Sequence, residues 1–367
     1  MKCAWCIRGA ACLVSLMLWS IAGGPATSQT VKGADIDDLF AVMERLQISV
    51  PMNVAGRDPV RRHLAELNRE PCDQQAIADL GKALDAAGYR REAANAQIRF
   101  SATCGGHAAS LRAAANIFLK LSDYTNAVTV ATDLIKLEPY HDNGFYLRAV
   151  AHNQAGSYQR AIDDYVTAIE LFGNKDRISN ISYLSIARCY EKLGRFCEAV
   201  SPLQSWISLN PARNDTSQIR IMIDDYTKKG NCSLATGNEE TFAVPRQNKP
   251  ITLPVTINGT RGIFVLDTGA TLVALKKAFA QKASVIVDQS SSVLLRTANG
   301  ITDGKLGRAA TIQLRSLQAR DVPIVVQDDA RAAFGDGVDG LLGMSFLSRF
   351  KVTIDTQTVK ISNRQTK

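Results

Sequence analysis

The sequence predicts a multidomain chain in which an all-α repeat solenoid is followed by an all-β domain. Three observations carry this. First, an aromatic residue and a nearby Ala recur as Tyr89/Ala93, Tyr124/Ala127, Tyr158/Ala161 and Phe196/Ala199, with the aromatics 35, 34 and 38 residues apart. Second, turn- and loop-formers cluster between Gly230 and Pro250, and the apolar period then changes from helical to alternating. Third, beyond that change the apolar run Phe264-Val265-Leu266 delivers a single carboxylate into the turn Asp267-Thr268-Gly269-Ala270-Thr271.

Residues 1–28 read as a secretory signal. Lys2 and Arg8 precede an uncharged, mostly apolar stretch from Gly9 to Ala22, and the small residues Gly23, Gly24, Ala26 and Ser28 follow. Cleavage is expected after Ala26 or Ser28, giving an exported protein of the periplasm or cell envelope of a Gram-negative bacterium. The apolar stretch is short for a membrane span, so membrane contact is expected only if the signal stays uncleaved. At 367 residues the chain has room for two or three cores, and 46% hydrophobic with 21% charged residues describes a globular protein. The net charge of +8 is spread out, without the basic face or interleaved aromatics of a nucleic-acid binder, so no such partner is expected.

Export changes how the cysteines read. Cys3, Cys6 and Cys12 leave with the signal, and an oxidising compartment favours pairing among the rest. Cys72 and Cys104 bracket one helical hairpin and Cys197 and Cys232 another, so these two bridges are expected. Cys189 is left as a buried thiol. No short Cys-x-x-Cys spacing exists, and His63, His107, His141 and His152 are scattered, so neither a metal nor a cofactor is expected.

Residues 29–74 form an N-terminal helical segment, with helices over Asp35–Leu46 and Pro59–Asn68. Residues 75–229 hold the repeats. Gly88, Gly156 and Gly194 mark turns between paired helices, and Pro139 and Pro211 each lie twelve residues after a repeat Ala, where a second helix should stop. The last unit is the most regular, with Tyr183, Ile186, Ala187, Tyr190, Phe196, Ala199 and Pro211 in register, and the first is degenerate. Ile219 to Lys228 reads as a capping helix. The pattern resembles the tetratricopeptide repeat, a 34-residue helix-turn-helix. The resemblance implies an array that holds a protein partner, which the sequence does not identify.

Residues 230–249 read as a linker and 250–367 as the β domain. Asn258-Gly259 is a tight-hairpin signal. Short strands are expected around it and at Val293–Arg296, Thr311–Leu314, Val322–Gln327, Val352–Asp355 and Val359–Ser362, a spacing that suits a small closed β domain. The Phe264–Leu266 run is bulky enough to be buried on both faces.

About seventy residues after Asp267 comes Asp339-Gly340-Leu341-Leu342-Gly343-Met344. With the Asp-Thr-Gly turn it resembles the retropepsin-like aspartic proteases, in which an apolar-apolar-Gly element threads beside the turn and a short helix follows, here Met344 to Phe350. The resemblance implies an aspartic-type endopeptidase with Asp267 catalytic. Thr268, Gly269 and Thr271 would support the turn, Thr268 bracing it against a second copy while Gly269 and Thr271 bond the carboxylate. A flap would form at the hairpin tip around Asn299 and Gly300. Thr271 departs from the viral enzymes, where Asp is common. The chemistry fits what the domain lacks: no His follows His152 and no Cys follows Cys232, which removes Ser-His and Cys-His relays and most zinc ligands.

The reaction needs two carboxylates sharing a proton, and the β domain has one such turn, so a homodimer is expected. Asp339 belongs to the threading element, and Asp328, Asp329 and Asp336 read as solvated loop residues. The substrate would be a protein or peptide. The alternative reading is a non-catalytic periplasmic scaffold that binds protein through its array and dimerises through its β domain.

Overall fold

The structure, a computed structural model, describes residues 33–174, 177–232, 235–245, 249–297, 300–327 and 334–363. The signal at 1–28, Asn299, Asp328 and Asp329 lie outside the described residues. Helices α1 (Gly33–Arg45), α2 (Met52–Ala55) and α3 (Asp58–Arg69) come first. Four helix pairs follow: α4 (Gln74–Ala86) with α5 (Arg90–Thr103), α6 (Ala108–Lys120) with α7 (Tyr124–Leu137), α8 (Asp142–Gln154) with α9 (Tyr158–Leu171), and α10 (Asn180–Lys192) with α11 (Phe196–Leu209). The short α12 (Pro211–Asn214) and then α13 (Ser217–Lys229) close the array. Among the described residues, no helix is long and apolar enough to cross a membrane.

Local chemistry sets these boundaries. Asp73 caps α4 by accepting from the Gln75 and Ala76 N–H groups, and Asp123, Ser179 and Thr216 cap α7, α10 and α13 in the same way. Three of the pairs turn at Gly88, Gly156 and Gly194, with φ of +89°, +77° and +71°. The α6–α7 turn places Ser122 in the same left-handed conformation, at φ +57°. Buried Ala residues at the repeat positions, such as Ala93, Ala127, Ala161 and Ala199, let neighbouring helices approach closely. Disulfides join Cys72 to Cys104 and Cys197 to Cys232, with Cα atoms 5.6 and 5.4 Å apart. Cys189 is a buried free thiol near Asn153 Oδ1, and burial pushes its pKa up to about 12.

The stretch read as a linker holds a strand, β1 (Glu240–Ala243). Then come β2 (Thr252–Ile257), β3 (Thr260–Leu266), β4 (Val273–Lys276), α14 (Lys277–Lys282), β5 (Ile286–Val287) and β6 (Val293–Thr297). The chain continues through β7 (Gly300–Leu314), β8 (Leu317–Gln327), β9 (Gly340–Leu342), α15 (Met344–Leu347), β10 (Phe350–Ile354) and β11 (Thr358–Asn363). The larger sheet runs β2-β3-β9-β4-β8-β7-β5, and a further β2–β7 pairing closes it on itself. A second sheet has the order β1-β11-β10. Asn258 and Gly259 turn β2 into β3 with φ of +47° and +85°, the two positive values that a primed hairpin turn requires.

Two further elements depart from the sequence reading. The Met344–Phe350 helix is a single turn ending at Leu347, because Phe350 begins the next strand. The Phe264–Leu266 run has apolar packing on both faces but is fully buried on one only: Phe264 and Leu266 enter the domain's own core, whereas Val265 is half-buried on the opposite face. That face belongs to a different apolar cluster, which the β domain shares with helices α9 to α11.

Candidate active site

Strand pairing brings Asp267 to its place. β3 runs parallel to β9, with Val265 opposite Leu341 and Leu266 opposite Leu342, and the Asp267 N–H donates to the Leu342 carbonyl at 3.2 Å. Just past the strand the chain turns back on the carboxylate. Asp267 Oδ1 accepts from the Gly269 N–H at 2.8 Å and from the Ala270 N–H at 3.2 Å. Two backbone donors on one oxygen fix the carboxylate without committing another charged side chain. Thr268 and Gly269 are exposed and Asp267 is half-buried.

β9 and α15 lock the turn from behind. The Met344 N–H donates to the Ala270 carbonyl at 2.8 Å and the Ser345 N–H to the Thr271 carbonyl at 3.1 Å. The buried Ser345 hydroxyl accepts from the Val273 N–H at 2.9 Å. Gly343 is required by space: a Cβ there would sit 2.1 Å from the Leu272 carbonyl oxygen. Gly340 is the same, with a Cβ falling 2.0 Å from the Ala274 oxygen. Asp339 is taken up structurally, its Oδ2 accepting from the Ile263 N–H at 2.8 Å.

Asp267, Thr268, Gly269 and Thr271 thus share one turn. Gly269 bonds the carboxylate through its N–H, and Ala270 supplies a second donor that the motif does not reveal, because a backbone N–H leaves no mark on residue type. Thr271 anchors the turn to α15 through its carbonyl. Gly300 opens β7 at the end of the β6–β7 hairpin, exposed and with φ +111°. The hairpin lies on the array, where the Leu294 N–H donates to Thr167 Oγ1 at 3.1 Å and Arg296 Nη2 to the Leu171 carbonyl at 3.2 Å. Among the described residues, no group of three or more His, Cys, Asp or Glu is placed to hold a metal. The four His sit apart on the array.

Residues 253–349, the span from β2 through the Asp267 turn and β9 to α15, match the family described as gag-polyprotein putative aspartyl protease. The carboxy-terminal domain is retropepsin-like. The array before it is of the tetratricopeptide kind, as its helix pairs and their spacing of about 34 residues show. Among solved structures, a retropepsin-like aspartic protease from Rickettsia conorii is 25% identical, covering 34% of this chain and 99% of its own, with a TM-score of 0.27. A thermophilic TPR protein from Thermus thermophilus is 15% identical, covering 53% of this chain and 99% of its own, with a TM-score of 0.33. MamA from Desulfovibrio magneticus is 14% identical, covering 48% of this chain and 97% of its own, with a TM-score of 0.35. No curated protein matches the chain.

Proposed function

We propose that the protein is an aspartic endopeptidase whose site is completed by a second copy of the chain. The observation that carries this is the Asp267 carboxylate, oriented by the Gly269 and Ala270 N–H groups at the end of a glycine-threaded strand. In the dimer, Asp267 and its mate would share one proton, because two carboxylates at close range do not both ionise. The ionised member takes a proton from water as the water attacks the scissile carbonyl, and the protonated member donates to the carbonyl oxygen. The exposed Thr268–Gly269 tip is open to a second copy, and Thr268 would brace the two turns. The array would hold substrate or a protein partner. Two disulfides favour an oxidising compartment, in keeping with export to the periplasm or envelope.

The test is purified mature protein, wild type and Asp267→Asn, incubated with an unfolded protein from acid to neutral pH. Wild type should cleave with a bell-shaped pH profile, since full protonation or full ionisation of the pair stops catalysis. The near-isosteric Asn variant should keep its fold and lose cleavage by at least about a thousandfold. Equal cleavage by both proteins would remove Asp267 from the chemistry and leave the scaffold reading.

A further inference from the structure

The face of the β domain that presents Asp267 is not left to solvent. Alternation along each strand sends every second residue to that face, and the pairings line these residues up across the sheet. Val265 lies opposite Leu341, Leu341 opposite Ala274, Ala274 opposite Val325, and Val325 opposite Leu306. Asp267, two residues beyond Val265, leaves β3 toward the same side. Ala274, Val325 and Leu306 are at most 5% exposed, yet none of them belongs to the domain's own core. Their cover is shared between Val293, Leu295, Phe334 and Val338 of the β domain and the array, in one cluster with Ile162, Val166, Ile169, Tyr183, Tyr190 and Leu203.

The fit is close beside the Asp267 turn, whereas a cleft of about 550 Å³ opens elsewhere along the seam, between Arg195 and Glu198 on the array and Asp288 and Arg308 on the β side. A cavity of about 30 Å³ remains between Thr271, Leu272 and Leu306 on the β side and Ile169, Tyr183 and Tyr190 on the array. That holds about two waters and no substrate side chain. Helix α9 is buried from Ala161 to Leu171, its polar residues Asp163, Thr167 and Glu170 included, as expected of a helix covered on both sides. The β6–β7 hairpin, the candidate flap, is bound to it. The Ser291 hydroxyl donates to Asp163 Oδ1 at 3.2 Å, just before β6, and the Leu294 N–H donates to Thr167. An extended peptide crossing from the Asp267 turn toward this hairpin would meet α9 to α11 first.

We infer that helices α9 to α11 are a built-in plug over the Asp267 face, so that cleavage requires the array and the hairpin to part. The inference rests on the aspartic-protease reading and adds a latency device to it. The docked arrangement is the resting state, and opening exposes the Val265–Leu306 stripe together with the backbone edge of β6. Apolar cover of this extent and the hairpin's bonds to α9 hold the closed state, and a partner that draws α9 to α11 away would release activity.

Full-length variants test this. Thr167→Val keeps the volume and removes the acceptor for the Leu294 N–H, and Val166→Ala thins the apolar cover without touching a hydrogen bond. Each should speed amide exchange at Leu294 and raise cleavage of an unfolded protein, Thr167→Val by about fivefold, the net effect of a single hydrogen bond, and Val166→Ala by at least about as much, through lost apolar burial. Thr167→Ser, which keeps the hydroxyl, should behave as wild type in both measurements. Faster exchange with cleavage at the wild-type rate would overturn the plug while leaving the protease reading intact. Unchanged exchange in both opening variants would show that α9 does not hold the hairpin, which also overturns it. If no protein cleaves, even with Leu294 exchanging fast, the protease reading falls and the plug with it.

Discussion

At the scale of single residues, the two carboxylates that matter are held in opposite ways. Asp267 receives backbone N–H donors and stands half-open at a turn. Asp163 lies buried at the seam, and burial raises its pKa from 3.8 to about 7, against hydrogen bonds from Gln159, Ser291 and the Ser292 backbone. Asp288 and Tyr190 are the titratable groups whose charges couple to it. A carboxyl whose native pKa is raised stabilises the fold below its unfolded value, and that stability is lost as pH climbs through the native value. Acid should therefore tighten the seam, and the loss should fall between about pH 4 and 7, by at most about 1.4 kcal/mol per pH unit. Asp163→Asn, which imitates the protonated form, should show a shallower fall in urea midpoint from pH 5 to 8. Equal slopes in the two proteins would mean that Asp163 does not titrate there.

The elements show why some of the architecture was readable and some was not. Three array turns announce themselves as Gly88, Gly156 and Gly194, but the α6–α7 turn is hidden because Ser122 takes the same positive φ. Ser122→Gly should remove that strain and stabilise the array by about 1 kcal/mol, read from thermal or urea unfolding. A loss of stability would mean that the hydroxyl has a role worth more than the strain. Strand β1 was concealed because its four residues stand among turn-formers, and the part of β7 before Thr311 because Gly304 and Gly307 interrupt its apolar pattern. The Asp267 motif was legible since glycine and carboxylate are dictated by residue type, as the Gly340 and Gly343 contacts show. The two cysteine pairs were legible because each brackets one hairpin. They close loops of 32 and 35 residues, so removing either pair should cost roughly 2–4 kcal/mol. Cys72→Ala/Cys104→Ala and Cys197→Ala/Cys232→Ala, compared by urea unfolding with wild type, check this; unchanged midpoints would contradict it.

At the scale of the whole molecule, the seam between array and β domain could not be read from sequence, because its partners lie about a hundred residues apart and either side alone looks like ordinary core. On the proposed two-carboxylate mechanism, one Asp267 turn per chain calls for a second copy; β10 is the outer strand of the smaller sheet, and its Ile354 is 50% exposed. An open, partly apolar edge favours strand addition, and a charge placed on it opposes pairing. The full chain should therefore dimerise reversibly in sedimentation at micromolar concentration. Ile354→Lys should weaken that dimer by about tenfold while shifting monomer stability by no more than about 0.5 kcal/mol, the substitution being exposed. Cleavage should fall in step with dimer at low concentration and recover at high concentration, because mass action restores the shared site. A chain that stays monomeric at every concentration and still cleaves would show that a single Asp267 turn suffices, and the two-carboxylate mechanism would have to be abandoned.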